Sequence, residues 1–226
     1  EFRVGGGSWD RDLSGQYAEE GSQSFDLVGD AGLGDASGSY LYAQLEHPVF
    51  LLPNLRFERS NFDTDGQGTV QGSFTLNNTS YTVNEPVDST FSIDQTDIIA
   101  YYSVLDMLVD VDLGLDIRLI DADVSVRSQR TDIEASDSIS TPIPMGYAAV
   151  RVDVPGTGAW VRAQGSGIGL RGSSFIDTRA VVGYTFGLGI GVELGYRRQE
   201  IEIDDIDDID ADLTIEGGFA GVHYAF

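Results

Sequence analysis

The stretch Val109-Asp110-Val111-Asp112-Leu113-Gly114-Leu115-Asp116-Ile117-Arg118-Leu119 decides how this sequence folds. Val109, Val111, Leu113, Leu115, Ile117 and Leu119 share one face of an extended chain, while Asp110, Asp112, Gly114, Asp116 and Arg118 share the other. Strict alternation over eleven residues is the mark of a β-strand between two unlike surroundings. Those surroundings are either core and water, as in a soluble sandwich, or lipid and lumen, as in a membrane barrel. A single strand does not choose between them.

The same alternation returns at Ala148–Val154, Ile176–Phe186 and Gly189–Tyr196, and further strands are read near Phe2–Arg11, Ser39–Glu46, Asn54–Phe62, Phe91–Val104, Gly158–Gly167 and Leu213–Phe226. That makes ten, with eight as the alternative if two weak strands are misread. Short links at His47–Pro53, Leu105–Met107, Pro155–Thr157 and Gly187 alternate with long ones at 12–38, 63–90, 121–142, 168–174 and 200–212. The long links carry 23 acidic residues against three basic ones, Arg127, Arg130 and Arg171, and so hold most of the net charge of −24. A sandwich gives no reason to confine charge to one end. Outer-membrane barrels do, with short periplasmic turns and long extracellular loops. The expectation is one domain over 1–226, an all-β, closed, antiparallel, up-and-down transmembrane barrel in a Gram-negative outer membrane, with both termini periplasmic.

Composition narrows the alternatives. No apolar run reaches the roughly 18 residues of a membrane helix, and Glu1 opens a polar, Gly-rich start unlike an export signal, so the chain reads as a processed form. There is no Cys for a disulfide or a thiolate metal site. All 13 basic residues are Arg, and the acidic excess argues against nucleic acid or anionic lipid as a partner. A Lys-free acidic chain points to a saline, halophilic habitat, where salt screens the carboxylates.

The C-terminal strand ends with Val222, Tyr224 and Phe226 on one face. This pattern resembles the signal that the outer-membrane assembly machinery reads by strand pairing. Two further segments, Glu46-His47-Pro48-Val49-Phe50-Leu51-Leu52-Pro53-Asn54 and Asp97-Ile98-Ile99-Ala100-Tyr101-Tyr102-Ser103-Val104-Leu105-Asp106, resemble motifs of a family of small proteobacterial outer-membrane β-barrel proteins of unassigned function; Val111–Leu115 also fits. The resemblance covers about 40–120 and implies fold and location, with no activity. Pro48 and Pro53 suit a turn, and Tyr101 and Tyr102 suit a membrane rim.

By parity, Glu46, Arg56, Glu58, Asp110, Asp112, Asp116, Arg118, Arg151, Asp153, Arg162, Asp177, Arg179 and Glu193, with Arg3 and Arg197, point into the lumen. They would form a plug of ion pairs, since buried charges persist only when paired; the competing reading is a narrow passive channel for small solutes or ions. Catalysis is not expected: only His47 and His223 are available as bases, and both fall toward the periplasmic end. The run Glu200–Asp212 interrupts its acids with Ile201, Ile203, Ile206 and Ile209, which suits extended strands better than a solvated tail. Asp204, Asp205, Asp207, Asp208 and Asp210 could hold a divalent cation such as calcium, although the EF-hand pattern is missing. No other cofactor is expected. The function so read is a structural or surface-interaction barrel with acidic extracellular loops that self-associate into a homo-oligomer.

Overall fold

The computed structural model describes residues 1–19, 24–49, 51–77, 79–105, 108–170, 172–206 and 209–226, with the backbone alone at 19, 205, 206 and 209. In chain order the strands are β1 (Phe2–Glu19), β2 (Phe25–Asp26), β3 (Ala36–Leu45), β4 (Asn54–Thr69), β5 (Phe74–Leu76), β6 (Thr79–Tyr81), β7 (Pro86–Leu105), β8 (Val109–Ser128), β9 (Glu134–Asp153), β10 (Ala159–Leu170), β11 (Ser173–Thr185), β12 (Ile190–Ile206) and β13 (Ile209–Ala225). Ten of them form a closed antiparallel ring in the order β1-β3-β4-β7-β8-β9-β10-β11-β12-β13, and β13 returns to β1. The fold is thus the ten-stranded transmembrane barrel, and the eight-stranded alternative falls.

The seam closes at the chain ends, where Phe2 and Phe226 exchange both backbone hydrogen bonds at 2.9 Å. A row of paired residues starting at Leu119 passes Thr96, Arg59, Leu41, Gly6, Val222, Val192 and Tyr184 and reaches Ala159, at the foot of β10. The row has slipped by about a dozen residues on its way round, the stagger that tilted strands in a closed barrel require.

The long links are mostly strand rather than loop. β8 and β9 stay paired up to Arg127↔Glu134, and β12 and β13 up to Ile206↔Ile209. What hides this in the sequence is an inversion of the hydrophobic phase. On β8 the outward column is aliphatic from Val109 to Leu119 and then continues as Asp121, Asp123, Ser125 and Arg127, while the inward column changes from Asp112, Asp116 and Arg118 to Ile120, Ala122, Val124 and Val126. β4 repeats the change, with Leu55 and Phe57 outward below and Phe62 inward above; so does β13, with Val222 and Tyr224 outward below and Leu213 and Ile215 inward above. These strands therefore run on past the aliphatic belt as continuous strands. Their apolar side turns from the outside to the inside as the solvent changes.

The end opposite the termini is the tall end. There β3 is short, its last pair with β1 being Ala36↔Arg11, and residues 25–33 stand in the vacant place. β2 pairs with β1 at Tyr17↔Phe25, and the Leu27 N–H donates to the Gly15 carbonyl at 3.1 Å. On its other side this segment lies against β4 so closely that a Cβ at Gly66 or Gly68 would come 1.9 Å from the Gly32 or Asp30 carbonyl oxygen, an approach only glycine permits. Above it the β5–β6 hairpin folds over the mouth. Phe74 stacks on Phe25 and on Tyr81, with ring centroids 3.9 and 4.8 Å apart, and the Tyr81 hydroxyl donates to the Val126 carbonyl at 2.5 Å. Phe25, Leu33, Phe62, Val70, Phe74 and Tyr81 belong to the apolar core that closes this half of the tall end.

Candidate functional site

Below that core the lumen is filled by charge. Arg118 binds Asp97 through Nε and Nη2 at 2.6 and 2.9 Å, and its Nη2 also reaches Asp177 at 2.6 Å. Arg197 donates to Asp177 at 2.5 Å and to Glu58 at 3.3 Å. Glu58 also accepts from Arg56 at 3.0 Å and, with both oxygens, from Arg179. Asp116 accepts from the Ser166 hydroxyl at 2.6 Å and lies 4.0 Å from Arg118. Gln199 ties Asp177 to Gln95 at 3.0 and 2.9 Å. Four arginines thus face four carboxylates, all buried, and the one cavity described among them measures about 10 Å³. That is room for about one water molecule.

Nearer the termini the packing loosens. Arg162 donates to Tyr147 at 2.8 Å and to Asp112 at 3.3 Å, and Arg151 forms a two-pronged pair with Asp153 at 2.9 and 2.8 Å. Glu193 accepts from Tyr40 at 2.7 Å and Tyr42 at 3.1 Å. Arg3 pairs with Glu1 at 2.5 Å. A vestibule of about 940 Å³, lined in part by Glu46, His47, Asp110, Asp112, Arg151 and Arg162, opens at this end.

Of the residues placed in the lumen by parity, Arg56, Glu58, Asp112, Asp116, Arg118, Arg162, Asp177, Arg179, Glu193 and Arg197 are buried there. Glu46, Asp110, Arg151 and Asp153 are half-buried toward the vestibule. Asp97, Gln95, Gln199, Tyr40 and Tyr42 were not foreseen. Asp97 lies where β7 is apolar on both faces, Ile98 and Ala100 outward with Ile99 and Tyr101 inward, so alternation is silent; its register partner Arg118 was the available clue.

The two motifs that carry the family resemblance touch each other. The Tyr101 hydroxyl donates to Glu46 at 3.0 Å, Tyr102 to the Leu51 carbonyl at 3.2 Å, and Asn54 Nδ2 to Ser103 at 3.4 Å. Only Tyr102 sits on the outer rim; Tyr101 is fully buried inside, because consecutive strand residues point to opposite faces. Phe50 and Asp106 lie outside the described residues. His47 Nε2 is 3.1 Å from the Pro53 carbonyl and its Nδ1 accepts from the Val49 N–H at 3.2 Å, so the ring braces its own turn.

Thr185, His223 and Glu193 stand in the order of a hydrolytic triad. Thr185 Oγ1 is 3.0 Å from His223 Nε2, but Glu193 remains 3.9 Å from Nδ1 and its oxygens serve Tyr40 and Tyr42. The ring is enclosed, with Trp160 at a centroid distance of 5.7 Å. In the acidic run Ile201 and Ile203 are half-buried on the inward parity and Glu200, Glu202 and Asp204 lie on the outward one. Asp207 and Asp208 and the Asp205 side chain lie outside the described residues; among the described residues no group of three or more potential ligands could hold a metal ion. The outward column Val222, Tyr224 and Phe226 is exposed along the final strand.

No family model matches the chain, and no curated protein is similar to it in sequence. Among solved structures it is similar to the translocator domain of the autotransporter NalP from Neisseria meningitidis, at 14% identity and a TM-score of 0.48, covering 100% of this chain and 88% of that one. It is also similar to the transport unit of the autotransporter AIDA-I from Escherichia coli, at 10% identity and a TM-score of 0.49, covering 97% and 90%. Neisserial surface protein A aligns at 13% identity and a TM-score of 0.37, covering 100% and 97%. None of these likenesses is tight enough to carry function, which has to come from this chain's own residues.

Proposed function

We propose that the protein is an integral barrel of a Gram-negative outer membrane, with the tall end outside and both termini in the periplasm, and that it acts as a closed scaffold presenting an acidic collar. The observation that carries this reading is the charge-balanced layer of Arg56, Arg118, Arg179 and Arg197 with Glu58, Asp97, Asp116 and Asp177, all buried across the lumen. Short turns on the side of both termini and tall strands on the other support the orientation. The acids of the collar, such as Asp121, Asp123, Glu202 and Asp212, stand on the outer face, where other molecules or copies bridged by divalent cations meet them. The reading includes no catalytic step, in keeping with the enclosed His223.

The second reading, a narrow passive channel, is favoured by the vestibule at the end of the termini, which reaches Asp112 and Arg162 inside the barrel. Planar-bilayer recording separates the two. Wild-type protein should show no unitary steps, while Arg118→Gly combined with Asp177→Gly should create them. Reproducible steps from the wild type that the double variant enlarges would overturn the scaffold reading.

A further inference from the structure

We infer that the wall parts between β9 and β10 at the membrane surface, and that the gap seats the hydrocarbon chain of a lipid from the leaflet on the tall side. The β9–β10 ladder stops at Gly146↔Gly167, although β10 runs on to Leu170 alongside β11 and β9 runs on to Glu134 alongside β8. Beyond the break Pro142 and Pro144 have no N–H to offer. The β10–β11 hairpin ends at Leu170↔Ser173 while its neighbours rise much higher, so a notch is left in the rim.

What lines the notch is apolar. Met145 and Phe175 are buried there, Ile143, Ile168 and Ile201 are partly covered, and Leu170, inward by parity, is 66% exposed. The corresponding space across the mouth is filled by the Phe25, Leu33 and Phe74 core; here Met145 and Phe175 form a buried floor, while Ile143, Ile168 and Ile201 stay partly open and Leu170 largely so. The notch sits where the outward column of β11 turns from Ile176 to Ser174, the edge of the aliphatic belt. From below, a groove of about 490 Å³ on the lipid-facing wall runs up between Leu113 and Ile176 over Gly146, Gly165 and Gly167 to that last ladder pair.

This continuity with the lipid-facing surface selects the occupant. A partner strand would need donors that Pro142 and Pro144 lack. A polar solute would find aliphatic walls. A chain already in the membrane slides up the groove and turns inward without leaving an apolar environment, at a gain of roughly 25 cal/mol for each Å² it covers. It goes no deeper, because Phe175 lies 5.0 Å over Arg118 and the layer beneath is charged. The notch is therefore a seat and not a conduit, and the inference does not depend on whether the lumen conducts.

The test is fluorescence quenching in vesicles of phosphatidylcholine brominated along its acyl chains. Tryptophan placed by Leu170→Trp, an inward and already exposed position, should be quenched several-fold relative to unbrominated vesicles, after subtraction of Trp9 and Trp160 in the wild type. Ile176→Trp, outward in the belt, is the control for insertion. Quenching at Ile176→Trp without quenching at Leu170→Trp would overturn the inference. So would quenching of Leu170→Trp by brominated free fatty acid alone, with none from the brominated phospholipid.

Discussion

Leu119 and Asp121 are successive members of one outward column on β8, and between them the surface of the protein changes from hydrocarbon to carboxylate. Cysteines at Leu113, Leu115 and Ile117 should resist water-soluble maleimides in a bilayer, whereas cysteines at Asp121 and Asp123 should react quickly. Equal labelling on both sides of the boundary would refute the position of the membrane surface.

The charged layer makes a contrast within one residue type. Arg118 is held by Asp97 and Asp177 with its side chain 2% exposed, and Arg118→Met should cost about 3–5 kcal/mol because Asp97 loses the guanidinium that holds both its oxygens and Asp177 keeps only Arg197. Arg59 meets Asp94 at 3.8 Å in the open, and Arg59→Met should cost less than about 1 kcal/mol. Urea unfolding in lipid measures both; equal midpoints would show that burial does not set the difference.

A pH effect is expected at the cap. Hydrogen bonds from the Ser128 hydroxyl at 2.5 Å and the Thr82 N–H at 2.8 Å hold the Glu85 carboxyl below its ordinary value. A depressed folded-state pKa gives stability that is present above the unfolded value of about 4.3 and is lost as pH falls through the folded value. The protection factors of the Val70 and Asn84 amides, whose N–H groups donate into this turn, should fall in acid once the intrinsic pH dependence of exchange is divided out, and Glu85→Gln should lower them at neutral pH. Protection factors unchanged by acid in the wild type would remove the anchor.

The closing pair of strands gives a prediction about assembly. Phe226 packs edge-on against Phe2 at 4.9 Å and bonds to it through the backbone. Burial of one aromatic is worth roughly 1.5–3 kcal/mol, so Phe226→Ala should lower the stability of folded barrels modestly. Its yield of inserted protein in cells should fall far more, because Val222, Tyr224 and Phe226 are proposed to be read during insertion. Matching losses in both measurements would reduce the residue to a packing role.

How much of this was legible in the sequence follows from the same boundary. Alternation marked β8, β9, β11 and β12 within the aliphatic belt, and the alternation of short and long links with the charge on the long ones chose a barrel over a sandwich. Above the membrane the segment Asp121–Ser128 is just as periodic, but with Val124 and Val126 inside and acids outside, and its charge resembles a loop. The lumen residues could be read as a set but not as partners. Which carboxylate meets Arg118 depends on barrel closure, which brings β11 across from β8. The filling of the mouth by residues 25–33 left no trace, since Gly66 and Gly68 look like any glycines until the other backbone is beside them.

The inversion of phase along each strand also bears on how the chain tolerates change. A single strand obeys two opposite substitution rules: on the outer column an aspartate is ruinous at Leu115 and tolerated at Ser125, whereas on the inner column it is ruinous at Val126 and already native at Asp116, beside Arg118. The taller strands, β4, β8 and β13 among them, thus hold two proteins end to end, one written for oil and one for brine, and a shift along the axis would set the apolar outer face of the one in the surroundings of the other.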